Sequence, residues 1–214
     1  MQVDPHVLWN EFFKRHHLNS VQQEYFKEYY NRLVSTNALH NITAILDLNK
    51  VIEDHFNDSL ALADFIDCTN IKRLGDIGSG GGFPSIPLKI LYPHLSLVLI
   101  EVNAKKRTFL NELISAFNLT DTVVSEYDWR TFLRKTDYQI DYFCARASLL
   151  PEELIRVFMP SSPYKKGSLV YWATGHWKPS DIVAPYLYDS YNYHIDTGLE
   201  RKKRKLVRFI ASST

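Results

Sequence analysis

GDIGSGGGFPSIP, residues 75–87, sets four glycines within five positions behind an aspartate and follows them with an aromatic residue and two prolines. The apolar run Ile71–Ile77 before it reads as a strand, and Ser85–Leu91 after it as a helix. A strand, glycine loop and helix in that order open a Rossmann-like α/β sheet, whose ligands bind beyond the carboxyl ends of the strands. Glycine permits positive φ and close backbone approach, so such a loop wraps a ligand without side-chain collision. The dinucleotide pattern G-x-G-x-x-G, set on Gly78 and Gly80, requires a third small residue at position 83, where this chain has Phe83. Pro84 and Pro87 also remove amide donors that a pyrophosphate would use. What remains, Asp76-x-Gly78-x-Gly80-x-Gly82, suits a cationic sulfonium and amino-acid moiety better than a polyphosphate. Glu101 ends the next apolar run about twenty residues on, where a carboxylate accepts the ribose hydroxyls of an adenosine. NAD and S-adenosylmethionine share that need, so Glu101 supports adenosine without choosing between them.

Outward from the loop, the chain divides by texture. Residues 1–66 read as an N-terminal helical extension. Val7, Leu8, Phe12 and Phe13 recur at helical spacing, and Ser20-Val-Gln-Gln23 resembles a capping box ahead of Val21, Tyr25, Tyr29 and Leu33. A third helix is expected after Asp47, carrying Val51, Ile52, His55, Phe56, Ser59, Leu60 and Ala63. Residues 67–214 alternate short apolar runs with helical patterns. Strands are expected at Leu95–Ile100, Thr122–Ser125, Ile140–Ala145 and Ser168–Ala173, with helices at Lys105–Phe117 and from Pro151. Two further strands, around Tyr191–Asp196 and Leu206–Ala211, would close as a hairpin, and Pro160–Pro163 is a loop. This alternation predicts a parallel sheet with helices on both faces, continuous with the extension as one compact unit.

The 214 residues carry a formal net charge of +1, which argues against a globally basic nucleic-acid coat and confines any polyanion contact to local patches. Cys68 and Cys144 lack metal-knuckle spacing, and a reducing cytoplasm is the expected compartment. No apolar run approaches the ~18 residues of a membrane span. His55 and Asp58, one helical turn apart, lack a third ligand; a polar packing role against the glycine loop is expected, and no metal.

Several stretches together resemble the glucose-inhibited division protein B family, bacterial methyltransferases of small-subunit ribosomal RNA. They are His40-Asn-Ile-Thr-Ala-Ile45, His55-Phe-Asn-Asp-Ser-Leu60, Gly75–Leu88 with its Gly-Phe-Pro-x-Ile-Pro run, Glu101 followed by Lys106-Arg107, and Ala145-Arg-Ala147. The resemblance covers about residues 20–150. It implies a methyltransferase that carries a methyl group from S-adenosylmethionine to guanine N7 of 16S ribosomal RNA. It also implies a cofactor site at Gly78 and Phe83, continuing at Trp129, Arg130 and Arg146, beside the loop's own Asp76, Gly80 and Glu101. Trp129 would stack on adenine, with Arg130 adding backbone contacts, while Arg146 would orient base or cofactor as the catalytic residue. The Asn- or Asp-Pro-Pro-Tyr motif of amino-group methyltransferases is missing after Arg146, in keeping with N7, whose lone pair needs alignment more than a general base. The chain departs from the family in having Thr174 where a lysine commonly precedes Gly175.

Small-subunit RNA, or the assembled subunit, is the implied partner of a protein expected to be monomeric. Arg201, Lys202, Lys203, Arg204 and Lys205 form the densest basic run and the first candidate for phosphate contact. Lys105, Lys106, Arg107 and Lys14–His17 follow. Alternatives stay open: a methyltransferase of the same fold on another RNA or a small molecule, or a ribosome-associated cofactor-binding module without catalysis. An NAD-dependent reductase is disfavoured by Phe83.

Overall fold

A computed structural model describes residues 4–159, 162–164, 166–198 and 200–211. Two residues of the expected loop at 160–163, Pro160 and Ser161, lie outside the described residues.

Two amphipathic helices come first, α1 (Pro5–Arg15) and α2 (Ser20–Asn37). The box that opens α2 sits one residue earlier than the sequence reading placed it. Asn19 accepts from the Gln22 N–H at 3.0 Å and the Gln22 side chain accepts from the Asn19 N–H at 3.0 Å. Asparagine's short carbonyl arm serves here as well as a serine hydroxyl. The helix expected after Asp47 is broken into α3 (Leu48–Val51), a π-helical stretch at Ile52–Asn57, α4 (Asp58–Leu60) and α5 (Leu62–Phe65). A π-turn widens the helix and re-aims its side chains, and such turns are frequent at functional sites. Here it turns Asp54 and His55 inward, so both are buried.

The sheet contains β1 (Arg73–Ile77), β2 (Ser96–Ile100), β3 (Thr122–Ser125), β4 (Tyr142–Arg146), β5 (Ser168–Thr174), β6 (Leu187–Asp196) and β7 (Arg201–Phe209). Interleaved with them are α6 (Ser85–Leu91), α7 (Ala104–Ala116), α8 (Trp129–Lys135) and α9 (Pro151–Phe158). Among the described residues the strand order is β3-β2-β1-β4-β5-β7-β6. The first five are parallel, while β7 runs antiparallel between β5 and β6. The chain leaves β1 toward β2 on one side and returns to β4 on the other, so the order reverses at the end of β1, where the glycine loop begins.

Side-chain alternation feeds two cores. Leu74, Leu97, Leu99, Cys144, Val170 and Trp172 face one side, where Phe12, Phe26, Tyr29, Phe56 and Phe109 pack on them. Ile77, Val98, Ile100, Phe143, Ala145 and Leu169 face the other, against Phe132, Leu154 and Phe158. A sheet covered on both faces accounts for the near-continuous apolar runs that betrayed the strands. Asp76 and Arg146 share the parity of the first set, which directs both toward the face that carries the N-terminal helices.

Tyr29 fastens that extension to the loop. Its hydroxyl donates to the Gly81 carbonyl at 2.5 Å, and burial raises its ionisation well above the usual phenol range, so the donor stays protonated. Tyr29→Phe leaves the Gly81 carbonyl unpaired in the core and should lower unfolding free energy by about 1–3 kcal/mol, measurable by urea denaturation.

Candidate functional site

The loop begins where β1 stops. The N–H groups of Gly78 and Ser79 donate to the Ile100 carbonyl at 2.8 and 3.1 Å, tying the turn to the end of β2. Gly80 donates to Glu101 Oε2 at 2.8 Å, and Asn103 donates to Oε1 at 2.8 Å. Glu101 therefore shapes the loop, and each of its oxygens keeps a second lone pair for a hydroxyl. Gly78 (φ +71°) and Gly80 (φ +59°) both occupy the left-handed region. A Cβ on Gly78 would collide with Ser148 Cβ at 2.5 Å, whereas one on Gly80 would meet only the Gly78 carbonyl at 3.7 Å. The first glycine makes room for protein, and the second leaves room above the loop.

Phe83 points away from that room. It is 6% exposed, lying near-parallel to His55 (centroids 4.4 Å, 20°) and to Tyr29 (5.3 Å, 8°). An aromatic at this position docks the loop against the helical extension, a duty that a dinucleotide loop, with its small third residue, does not have.

Beneath the loop lies Asp76, 1% exposed, with both carboxylate oxygens unpartnered. Burial pushes it up to about 7; the nearby Ser85 hydroxyl and amide and the charge of Arg146 pull it partly back, and Glu101 raises it.

Arg146, at the end of β4, is held by the π-turn and α4. Its Nη1 donates to the Asp54 carbonyl at 2.8 Å and to Asp58 Oδ2 at 2.5 Å, and its Nη2 donates to His55 Nδ1 at 2.8 Å. An acceptor Nδ1 requires the neutral ring, and burial with the neighbouring Arg146 charge drives His55 down to about 3. The other ring nitrogen then donates to Thr43 Oγ1 at 2.9 Å. Asp58 also accepts from the Tyr193 hydroxyl at 2.7 Å, and its carbonyl accepts from the Trp172 indole at 2.8 Å. Burial, followed by the charge of Asp58, raises Tyr193, so it remains the donor. The Arg146 guanidinium lies 5.6 Å from the Phe83 ring centroid, and Arg146 lines a cavity of about 430 Å³. Asp54, Asp58, Trp172, Trp177, Lys202 and Arg204 also line it.

Strand periodicity divides the basic run. Lys202 turns inward and donates to both oxygens of Asp54 at 2.8 Å, while Arg204 lies 3.7 Å from Asp58. Arg201 and Lys203 are exposed. Lys205 donates to the Trp177 carbonyl at 3.3 Å. The five residues thus fall into an inward, acid-paired set and an outward set, because β7 begins at Arg201. Trp129, expected to stack on adenine, begins α8; it is 5% exposed and its ring stacks with Phe132 and Phe158. Arg130, next to it, is exposed. Asp54, Tyr193, Trp177 and the division of the basic run escape the sequence pattern, because the π-turn, the segment after β5 and the paired strands β6 and β7 bring them together.

The model of the GidB family, described as rRNA small subunit methyltransferase G, matches residues 22–187. The chain belongs to that family. A ribosomal RNA small subunit methyltransferase G of Bacillus pumilus is 39% identical over 141 residues, covering 63% of this chain and 59% of its own length. One from Aster yellows witches'-broom phytoplasma is 46% identical over 102 residues, 48% of each chain. The chain thus spans about half the length of the curated relatives it matches. Among solved structures, a putative methyltransferase, yhhF, from Escherichia coli shares the fold, with a TM-score of 0.55 at 13% identity over 73% of this chain and 87% of that one.

The GidB-family cofactor, S-adenosylmethionine, fits the residues present. Asp76 offers unpaired buried oxygens to a cationic group, Glu101 keeps lone pairs for hydroxyls, and Gly80 leaves the approach open. Gly80→Ala is expected to fold with a loss of only about 1–2 kcal/mol, the cost of a left-handed alanine. Its cofactor affinity should nevertheless fall at least tenfold by calorimetry, because the new methyl occupies the open side of the loop.

Proposed function

We propose that this chain transfers a methyl group from S-adenosylmethionine to guanine N7 of 16S ribosomal RNA, acting in the cytoplasm on RNA or the small subunit. The observation that carries this reading is the adjacency of two sites, the Asp76–Gly80 loop at the end of β1 and the cavity lined by Arg146 at the end of the neighbouring β4. When bound, the cofactor supplies a methyl group activated by the positive charge on sulfur. Asp76, Gly80 and Glu101 hold it, and Arg146 aligns the acceptor at the end of β4.

The side chains around Arg146 suit an acceptor that brings its own lone pair. The free nitrogen of His55 already accepts from Arg146, and Tyr193 keeps its proton. Burial pushes the Cys68 thiol up to about 12 and raises Cys144 well above its usual value, so neither supplies a thiolate. Guanine N7 needs no proton removed before attack, and positioning with exclusion of water suffices. Arg201 and Lys203, facing outward beside the cavity, suit RNA phosphates.

The test is incubation of the protein with unmethylated small subunits and cofactor labelled in the methyl group, followed by mapping of the labelled base. Label on N7 of a guanine in 16S RNA is expected. Label on an adenine, or none at saturating cofactor, rejects the reading.

A further inference from the structure

We propose that the cavity beside Arg146 is the binding site of the target base, and that the Asp54–Lys202 pair selects guanine by its Watson–Crick edge. This rests on the methyl-transfer reading for the identity of the ligand, though its chemistry is separate.

The volume of about 430 Å³ accommodates one purine with its sugar. The cavity opens beyond the ends of β4 and β5, on the same edge of the sheet as the glycine loop, with Arg146 in its lining. Trp177, half-buried, offers an aromatic face on which a base can stack, and Trp172 is locked in place by its bond to the Asp58 carbonyl.

The polar groups inside are ordered by charge. Lys202 spends two of its hydrogens on the Asp54 oxygens and keeps a third, and each oxygen keeps a lone pair. A carboxylate beside an ammonium presents acceptors next to a donor. Guanine's N1–H and N2–H₂ are donors next to the O6 acceptor, which is the complement. Adenine reverses the two leading positions, setting an amino group against the ammonium and a lone pair against the carboxylate. In the free protein the ammonium covers Asp54, whose side chain is 4% exposed, against 30% for Lys202. Only the more exposed partner has to turn aside. A guanine held by this edge presents N7 from the opposite, imidazole side of the ring, unobstructed by the groups that recognise it.

The other cations fit this division. Arg146 is committed to Asp58, His55 and the Asp54 carbonyl, and Arg204 stands beside Asp58. Among the described residues, Lys202 is the cavity-lining cation that hydrogen-bonds both oxygens of a cavity-lining carboxylate.

The experiment measures binding of GMP, IMP and AMP by calorimetry to the full chain saturated with S-adenosylhomocysteine. GMP is expected to bind roughly tenfold more tightly than AMP, with IMP, which lacks the 2-amino group, between them. D54N should bring GMP and AMP together, and K202M should weaken GMP while leaving S-adenosylhomocysteine affinity intact. Equal affinity for GMP and AMP in the native protein, or no GMP binding at millimolar concentration, overturns the proposal. So does full discrimination surviving in either variant. If D54N fails to melt cooperatively, K202M, at the start of β7, decides alone. A GMP preference without label on ribosomal RNA would sink the proposed function and leave this one standing; N7 label without the preference would do the reverse.

Discussion

Arg146→Lys should lower kcat/KM for methyl transfer by on the order of 100-fold while the protein stays folded and binds S-adenosylmethionine close to the native affinity. The guanidinium reaches the Asp54 carbonyl, Asp58 and His55 together through two nitrogens. A lysine ammonium preserves the charge beside buried Asp58 but is a point donor on a flexible stem and cannot hold that fork. Misplacement of a positioning group by about 1 Å can cost ~100-fold. Arg146→Ala should differ in kind. It leaves Asp58, 1% exposed, with only the Tyr193 hydroxyl and the more distant Arg204, and should cost about 3 kcal/mol of stability. Single-turnover kinetics together with thermal melts of both variants separate the effects. A lysine variant with native kinetics would show that the fork has no part in the chemistry.

The fold was legible because both faces of the sheet are covered. The central strands β1, β2, β4 and β5 had to be largely apolar, and the helices between strands had to show a striped face; β3 and α6 match their expected bounds. Glycine spacing, Phe83 and Glu101 pointed to the ligand loop because local backbone chemistry dictates those residue types. The acceptor side was harder to read. Its walls come from the π-turn, the end of β4 and an antiparallel strand some 150 residues from the π-turn in sequence, as the Asp54–Lys202 bond shows with a separation of 148. Nothing local marks Ile52–Asn57 as a π-turn, since its apolar spacing also fits an α-helix. The run at 201–205 looked like one basic patch because composition ignores the two-residue period of a strand. Once β7 begins at Arg201, alternate cations are sent to opposite faces, and the inward ones meet Asp54 and Asp58.

The same carboxylate that readies the loop should make the free protein less stable. Asp76 is pushed up to about 7 in the fold, against about 4 for an ordinary aspartate, because burial penalises its charge by more than the neighbouring Ser85 hydroxyl and amide and the Arg146 charge relieve it. Between about pH 4 and 7 the native state holds a proton that the unfolded chain has released. Stability is therefore lost as pH rises through that window and is level above it, with a total loss of up to about 4 kcal/mol. Asp76→Asn keeps the shape and removes the charge, so it should melt well above the native protein at pH 8 and close to it at pH 4. Cofactor binding should move the opposite way. A cationic group near the loop favours the ionised carboxylate, so native affinity should rise as pH climbs from 6 to 8, with a proton released on binding. The neutral amide loses a charge-assisted bond worth about 1.5–3 kcal/mol, or roughly ten- to hundredfold in affinity, and the pH dependence should flatten. The charged groups Arg146 and Glu101 and the buried Tyr29 and Cys144 also face this carboxylate. Of these, Tyr29 and Cys144 are driven far above the window. Calorimetry in buffers of differing ionisation enthalpy counts the released proton directly. An Asp76→Asn protein that melts no higher at pH 8 and binds the cofactor with native affinity would show that this carboxylate neither strains the fold nor holds the ligand.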